Sequence, residues 1–114
     1  MINFNRKGKN MMKINFEFRK GIFFIRLIGD MNKENYMSKT EEIKDLIINN
    51  KFKYIVLNTN YINSIDMDSL MYLIELYDIS KNIDSNLVIC DKTNIIGKLF
   101  DSNIPNIKEE IEVL

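Results

Sequence analysis

The chain has no histidine and no tryptophan, one cysteine, one proline, four glycines and no excess of charge of either sign. Without histidine, the Ser-His-Asp and Cys-His triads and the commonest zinc ligand sets are excluded. A single cysteine leaves no disulfide framework and with it no hint of secretion. Cys90 lies inside the apolar run Leu87-Val88-Ile89-Cys90, the setting of a buried, inert thiol. No two glycines are near each other, so no Gly-rich loop is present to cradle a phosphate. Sixteen basic and sixteen acidic residues cancel, which removes the long-range positive field that would collect nucleic acid. No apolar run approaches the roughly 18 to 20 residues that span a membrane, and the N-terminus holds no uninterrupted apolar signal core. The expectation is a cytoplasmic protein with no cofactor, no metal, no nucleic-acid partner and no membrane partner.

What is present suits one domain. At 114 residues the chain can bury roughly two thirds of its unfolded surface and fold around one core. Residues 1–11, with Arg6, Lys7 and Lys9, are polar, basic and without a period, and read as a flexible lead-in to a domain over 12–114. From Met12 the pattern alternates, with Ile14, Phe16 and Phe18 on one face and Asn15, Glu17 and Arg19 on the other; Lys20-Gly21 interrupts it, and Ile22 to Met31 follows as a more apolar run. This predicts a hairpin leading into a central strand. Gly29-Asp30-Met31-Asn32 then supplies turn and cap residues. A helix follows with Tyr36, Thr40, Ile43, Leu46 and Ile47 on one stripe, capped either by Asn32 or by Ser38 with Glu41, and the reach of the stripe favours the earlier start. Phe52 to Thr59, with Tyr54-Ile55-Val56-Leu57, reads as a buried strand, Asn60 to Ser64 as a polar loop, and Leu87 to Cys90 as another buried strand. Thr93 or Asn94 caps a brief helix ahead of Pro105, and in the tail 107–114 Ile111, Val113 and Leu114 suit either a last edge strand, the preferred reading, or one face of a short helix. The order implies an α/β domain, bordering on α+β, with a mixed sheet and about three helices packed on it.

The stretch most open to function is 62–74, where an apolar run passes a polar loop and enters a helical pattern through two aspartates and a serine. Asp66 is a good N-cap, Ser69 takes the third helical position, and Leu70, Leu73, Ile74 and Tyr77 follow at helical spacing. Capping chemistry alone accounts for the aspartates. A receiver-type phosphoaspartate is excluded because the first strand carries no acidic pair. Met67, beside two aspartates in the first turn, is the methionine placed for a protein contact, whereas methionines at helical spacing otherwise fill cores.

The run from Ile62 to Leu73 resembles the signature of bacterial anti-sigma factor antagonists, the STAS domain, which reads hydrophobic-x-x-hydrophobic-Asp-Ser-Ser-Gly-Leu-x-x-Leu. Gly29-Asp30-Met31-Asn32 looks like that family's Gly-Glu-Leu-Asp turn, and the spacing from it to Tyr54-Ile55-Val56-Leu57 fits without gaps. The resemblance covers residues 12–104. It implies a non-enzymatic regulator that binds an anti-sigma factor, often a serine kinase that phosphorylates the second serine of the motif, and so frees a sigma factor. Asp66 matches the motif aspartate, Met67 its first serine, Asp68 its phosphorylated serine and Ser69 its glycine. The implied partner surface comprises Asp30, Asn32, Ser64, Asp66, Met67, Asp68, Ser69 and Met71. A carboxylate carries about one negative charge where a phosphoserine carries about 1.5 to 2, so Asp68 is a partial mimic. Three consequences stay open: a locked phosphorylated-like state, partner binding without phosphoregulation, or Ser69 as a displaced acceptor. A scaffold or small-molecule-binding module, homodimeric or not, is the alternative role.

Overall fold

The computed structural model describes residues 12–36, 39–100 and 104–114. The expected lead-in over 1–11 and the candidate cap Ser38 lie outside the described residues. In the two-residue link after the first strand, Lys20 (φ 53°) and Gly21 (φ 79°) both adopt the left-handed region. Such a turn matches the right-handed twist of the strands it joins. β1 (Lys13–Arg19) and β2 (Ile22–Met31) accordingly pair antiparallel, with Arg19 opposite Ile22 and Lys13 opposite Ile28.

β2 then pairs parallel with β3 (Tyr54–Ile65), β3 with β4 (Asn86–Cys90), and β4 with β5 (Asn106–Ile107), giving five strands in sequence order. The crossovers run through α1 (Lys33–Tyr36) and α2 (Thr40–Asn50), through α3 (Met67–Asn82), and through α4 (Ile95–Phe100). The result is the mixed α/β sheet expected from the element order. The principal core lies between sheet and helices. Phe23, Ile25 and Leu27 of β2, Ile55 and Leu57 of β3, and Leu87 and Ile89 of β4 meet Ile43 and Ile47 of α2 and Leu70, Leu73 and Leu76 of α3. Alternation sends the neighbouring residues to the opposite face, where Phe24, Val56 and Cys90 form a smaller cluster with Ile107 and Val113.

Three expectations are corrected. The stretch read as one helix is two, so the described residues contain four helices. The Asn32 side chain accepts the Asn35 amide at 3.0 Å and starts α1, while α2 begins after Lys39, which makes no side-chain cap. The loop expected over Asn60 to Ser64 is strand. Pairing with β2 continues to Met31 opposite Ile65, and β3 absorbs its extra residues in two register shifts, at Arg26/Ile28 and Gly29/Asp30. Backbone pairing thus prevails over a polar local composition. The tail is not an edge strand: β5 stops at Ile107, and Glu110–Val113 is a 3-10 turn held by a reciprocal capping box between Glu109 and Glu112.

A long-range polar tie fixes that turn. The Arg26 guanidinium donates to both Glu110 carboxylate oxygens, each at 2.8 Å, and to Glu17 at 2.7 Å, while Asn58 Nδ2 donates to Glu110 at 2.6 Å. The hydrogen bond from Arg26 outweighs partial burial and, with that from Asn58, holds the Glu110 carboxyl below the usual range.

Candidate functional site

The C-terminal ends of β2 and β3 and the first turns of α1 and α3 converge on one end of the sheet. Gly29 has φ 102°, a conformation that L side chains rarely adopt, beside the register shift at Gly29/Asp30. Such irregularities redirect the side chains that follow them. The Asp30 carboxylate accepts Ser64 Oγ at 2.9 Å, and the Asp30 carbonyl accepts Asn35 Nδ2 at 2.8 Å.

Asp66 joins the two helix starts. Its backbone is extended, its amide donates to the Met31 carbonyl at 3.1 Å, and one carboxylate oxygen caps α3 by accepting the Ser69 amide at 2.9 Å. The other oxygen accepts the Lys33 amide at 3.0 Å. Two amides that α1 and α3 leave unpaired are therefore satisfied by one side chain. Desolvation pushes this carboxyl up, but the Ser69 hydroxyl and amide, the Lys33 amide and its own amide together hold it below the usual range. The Ser69 hydroxyl lies close enough to contribute, yet it is buried and, among the described residues, outside hydrogen-bond geometry with any group.

Beyond the cap, helical geometry divides the motif. Ser69 is 0% exposed and Leu70 is buried, whereas Met67 is 59% exposed, Met71 52% exposed, and Asp68 also faces outward. Met67, Asp68 and Met71, spaced i, i+1 and i+4, share one outward face. Asp68 is thus accessible, and Ser69 one residue later faces the core. Asp30, Asn32, Ser64 and Asp66 are brought together at this end by the bonds above. Met67, Asp68 and Met71 lie beside them on the helix, and Ser69 is the candidate that does not reach the surface.

Two concavities flank the helix start. One, of about 330 Å³, lies beyond the end of β4 and is lined by residues 59–65 of β3 together with Leu70, Asp91, Lys92, Thr93, Ile96 and Glu109. The other, wider and shallower at about 490 Å³, lies along α3 over Asp68, Met71 and Glu75, with Lys33 and Lys44 opposite. Of the first groove, Ser64 and the stretch from Ile62 belong to the surface expected from the sequence, whereas Asp91, Lys92, Thr93, Ile96 and Glu109 were not singled out, because the length difference between β3 and β4 that brings them to the groove leaves no residue-type signature. The Lys33 contribution is a backbone amide, equally silent in the sequence. Among the described residues no group of three or more His, Cys, Asp or Glu side chains is arranged to hold a metal ion, and no helix is long and apolar enough to cross a membrane. Cys90 is buried, and desolvation pushes its thiol up to about 11.

No family model matches the chain, and no curated protein matches it by sequence. Solved structures do match. The anti-sigma factor antagonist SpoIIAA in its unphosphorylated form superposes with a TM-score of 0.74 at 13% identity, over 89% of this chain and 93% of that one. The phosphorylated form of the Bacillus cell fate determinant SpoIIAA gives 0.71 at 14% identity, over 89% and 96%. An anti-sigma factor antagonist from Mycobacterium paratuberculosis gives 0.70 at 12% identity, over 90% and 91%. The five-stranded sheet and its helices therefore have the fold of the anti-sigma factor antagonists, the STAS fold.

Proposed function

We propose that the chain is a non-enzymatic cytoplasmic regulator that docks on an anti-sigma factor of the serine-kinase type and thereby releases a sigma factor. The observation that carries this reading is the exposed face Met67–Asp68–Met71 at the rigidly capped start of α3, in a chain with the antagonist fold. Met67 and Met71 supply adaptable apolar contact area, and two exposed methionines at i and i+4 beside a carboxylate suit a protein surface. Asp30 and Asn32, at the starts of the neighbouring turn and helix, flank the face, with Ser64 held on Asp30.

Asp68 supplies a permanent single charge where the motif has a phosphorylatable serine. Phosphorylation of Ser69 would require α3 to open first, because a kinase needs an accessible hydroxyl and this one is fully buried. Partner binding without control by phosphorylation is the consequence that fits both residues. Affinity capture from the source bacterium, followed by titration of the captured protein, tests the reading. An anti-sigma factor should be recovered and its binding weakened by Asp66→Ala and Met67→Ala. Recovery of none, with an interactome unchanged by both substitutions, would sink it. Intact-mass measurement after incubation with the kinase and ATP should show no added phosphate.

A further inference from the structure

β3 spans 12 residues and β4 only 5. β4 neighbours β3 only from Tyr54 to Asn58. At Asn60 the edge is closed by side-chain bonds, since Asn60 Oδ1 accepts the Lys92 amide at 2.8 Å and Asn60 Nδ2 donates to the Lys108 carbonyl at 2.9 Å. From Tyr61 to Ile65, β3 remains paired to β2 on one side, and among the described residues no strand lies on its other side. That free edge borders the groove of about 330 Å³. A strand edge of this kind is a template for another extended chain, whose main-chain hydrogen bonds give affinity while side pockets give specificity.

We propose that the edge of β3 over residues 61–65 accepts an extended, basic segment of the partner protein as an added strand. This deepens, and rests on, the reading of this end as a protein-docking site. Five residues of strand offer about 16 Å of pairing length. Apolar residues on one side of such a segment would meet Ile62, Ile65, Leu70 and Ile96 of the groove. Its charge follows from the surroundings. Asp30 and Asp66 stand at the end of the run and Asp91 lines the groove, whereas the groove's one lysine, Lys92, is already paired with Glu109 at 2.5 Å. A basic segment is complementary to this arrangement and an acidic one is repelled.

The test uses the full chain and three synthetic peptides of roughly seven residues, long enough to cover the edge. One alternates lysine and valine, one alternates glutamate and valine, and one is the lysine–valine peptide with alternate amides N-methylated to remove strand donors. Hydrogen exchange followed by NMR should show amides within 61–65 slowed about tenfold or more by the lysine–valine peptide, with the other two binding at least about tenfold more weakly. Unchanged exchange there, or equal binding of the N-methylated peptide, would overturn strand addition. Two further outcomes separate this inference from the docking reading. If an anti-sigma factor binds yet protects no amide in 61–65, strand addition fails and the docking reading stands. If the lysine–valine peptide protects the edge and no anti-sigma factor binds, the edge site stands and the assigned partner falls.

Discussion

The two ends of the sheet are built from the same strands and serve opposite ends. Where β2 and β3 begin, the elements are tied together: the Lys20-Gly21 turn joins β1 to β2, and the rings of Phe16, Phe23 and Phe52 stack with centroids 5.7 and 4.1 Å apart, while Phe18 and Tyr54 stay exposed. The Phe52 carbonyl accepts the Ser85 hydroxyl, and the Lys53 carbonyl accepts the Asn86 amide at 2.9 Å, so the segments that enter β3 and β4 are tied together. Where the same strands finish, their lengths differ, a groove opens, and carboxylates and exposed methionines gather. The difference teaches that strand length is a means of dividing labour. Equal starts stabilise the domain, and unequal finishes leave an edge and a helix start exposed, the surface proposed above for a partner.

Substitutions can break this contrast, and the largest effect is expected at the end where the strands begin. Phe23→Ala should cost about 3–5 kcal/mol in urea unfolding, because it removes a buried ring between two others, while the folded fraction binds the partner as before. Loss of partner affinity in the folded protein would show that the two ends are coupled. Next comes the tie between the opposite face and the C-terminal turn. Glu110→Gln should cost about 1–3 kcal/mol, since it leaves the part-buried Arg26 without its principal counter-charge. The Glu110 carboxyl is held below its ordinary value in the folded state. Its stabilisation is therefore complete above the unfolded carboxyl pKa and is lost as pH falls through the folded one. The Tm gap between wild type and Glu110→Gln should shrink on acidification from about pH 7 to about pH 3. A gap that grows on acidification would assign the stabilisation elsewhere.

At the open end the stability effects diminish and the binding effects grow. Asp66→Ala should cost about 1 kcal/mol for the lost cap, with some further loss from releasing the Lys33 amide, and should weaken the partner by loosening α1 against α3. Met67→Lys should change stability by less than about 0.5 kcal/mol, as exposed substitutions do, yet reduce partner affinity about tenfold or more. Equal losses of stability at Phe23 and Met67 would erase the contrast between the ends.

Much of this was legible in the residues. Period-two alternation over 12–19, the two-residue Lys20-Gly21 link and the apolar runs at 55–57 and 87–90 report backbone geometry directly, and the strands lie there. Asp66 was legible as a cap because capping is local chemistry, and the outward position of Met67 was legible from its place in the first turn beside two aspartates. Residues 60–64 were not legible: Asn60, Asn63 and Ser64 are turn-forming by composition, and only their long-range pairing with β2 makes them strand. The tail is ambiguous between strand and short helix for the same reason. Ile111 and Val113 carry strand propensity, but the bond from Arg26 to Glu110, 84 residues apart in sequence, holds the segment in a turn. The buried orientation of Ser69 follows from helix phase, whereas the groove beside it depends on where β4 happens to stop.

Titration calorimetry of the recovered anti-sigma factor against wild type and Met67→Lys, at matched Tm and with and without ATP and magnesium, is the most direct test. The expected result is binding by wild type that ATP does not abolish, and at least about tenfold weaker binding by Met67→Lys. Equal affinity of the two proteins, or loss of wild-type binding with the appearance of a phosphate on the chain, would contradict a docking face at the start of α3 that works without phosphorylation.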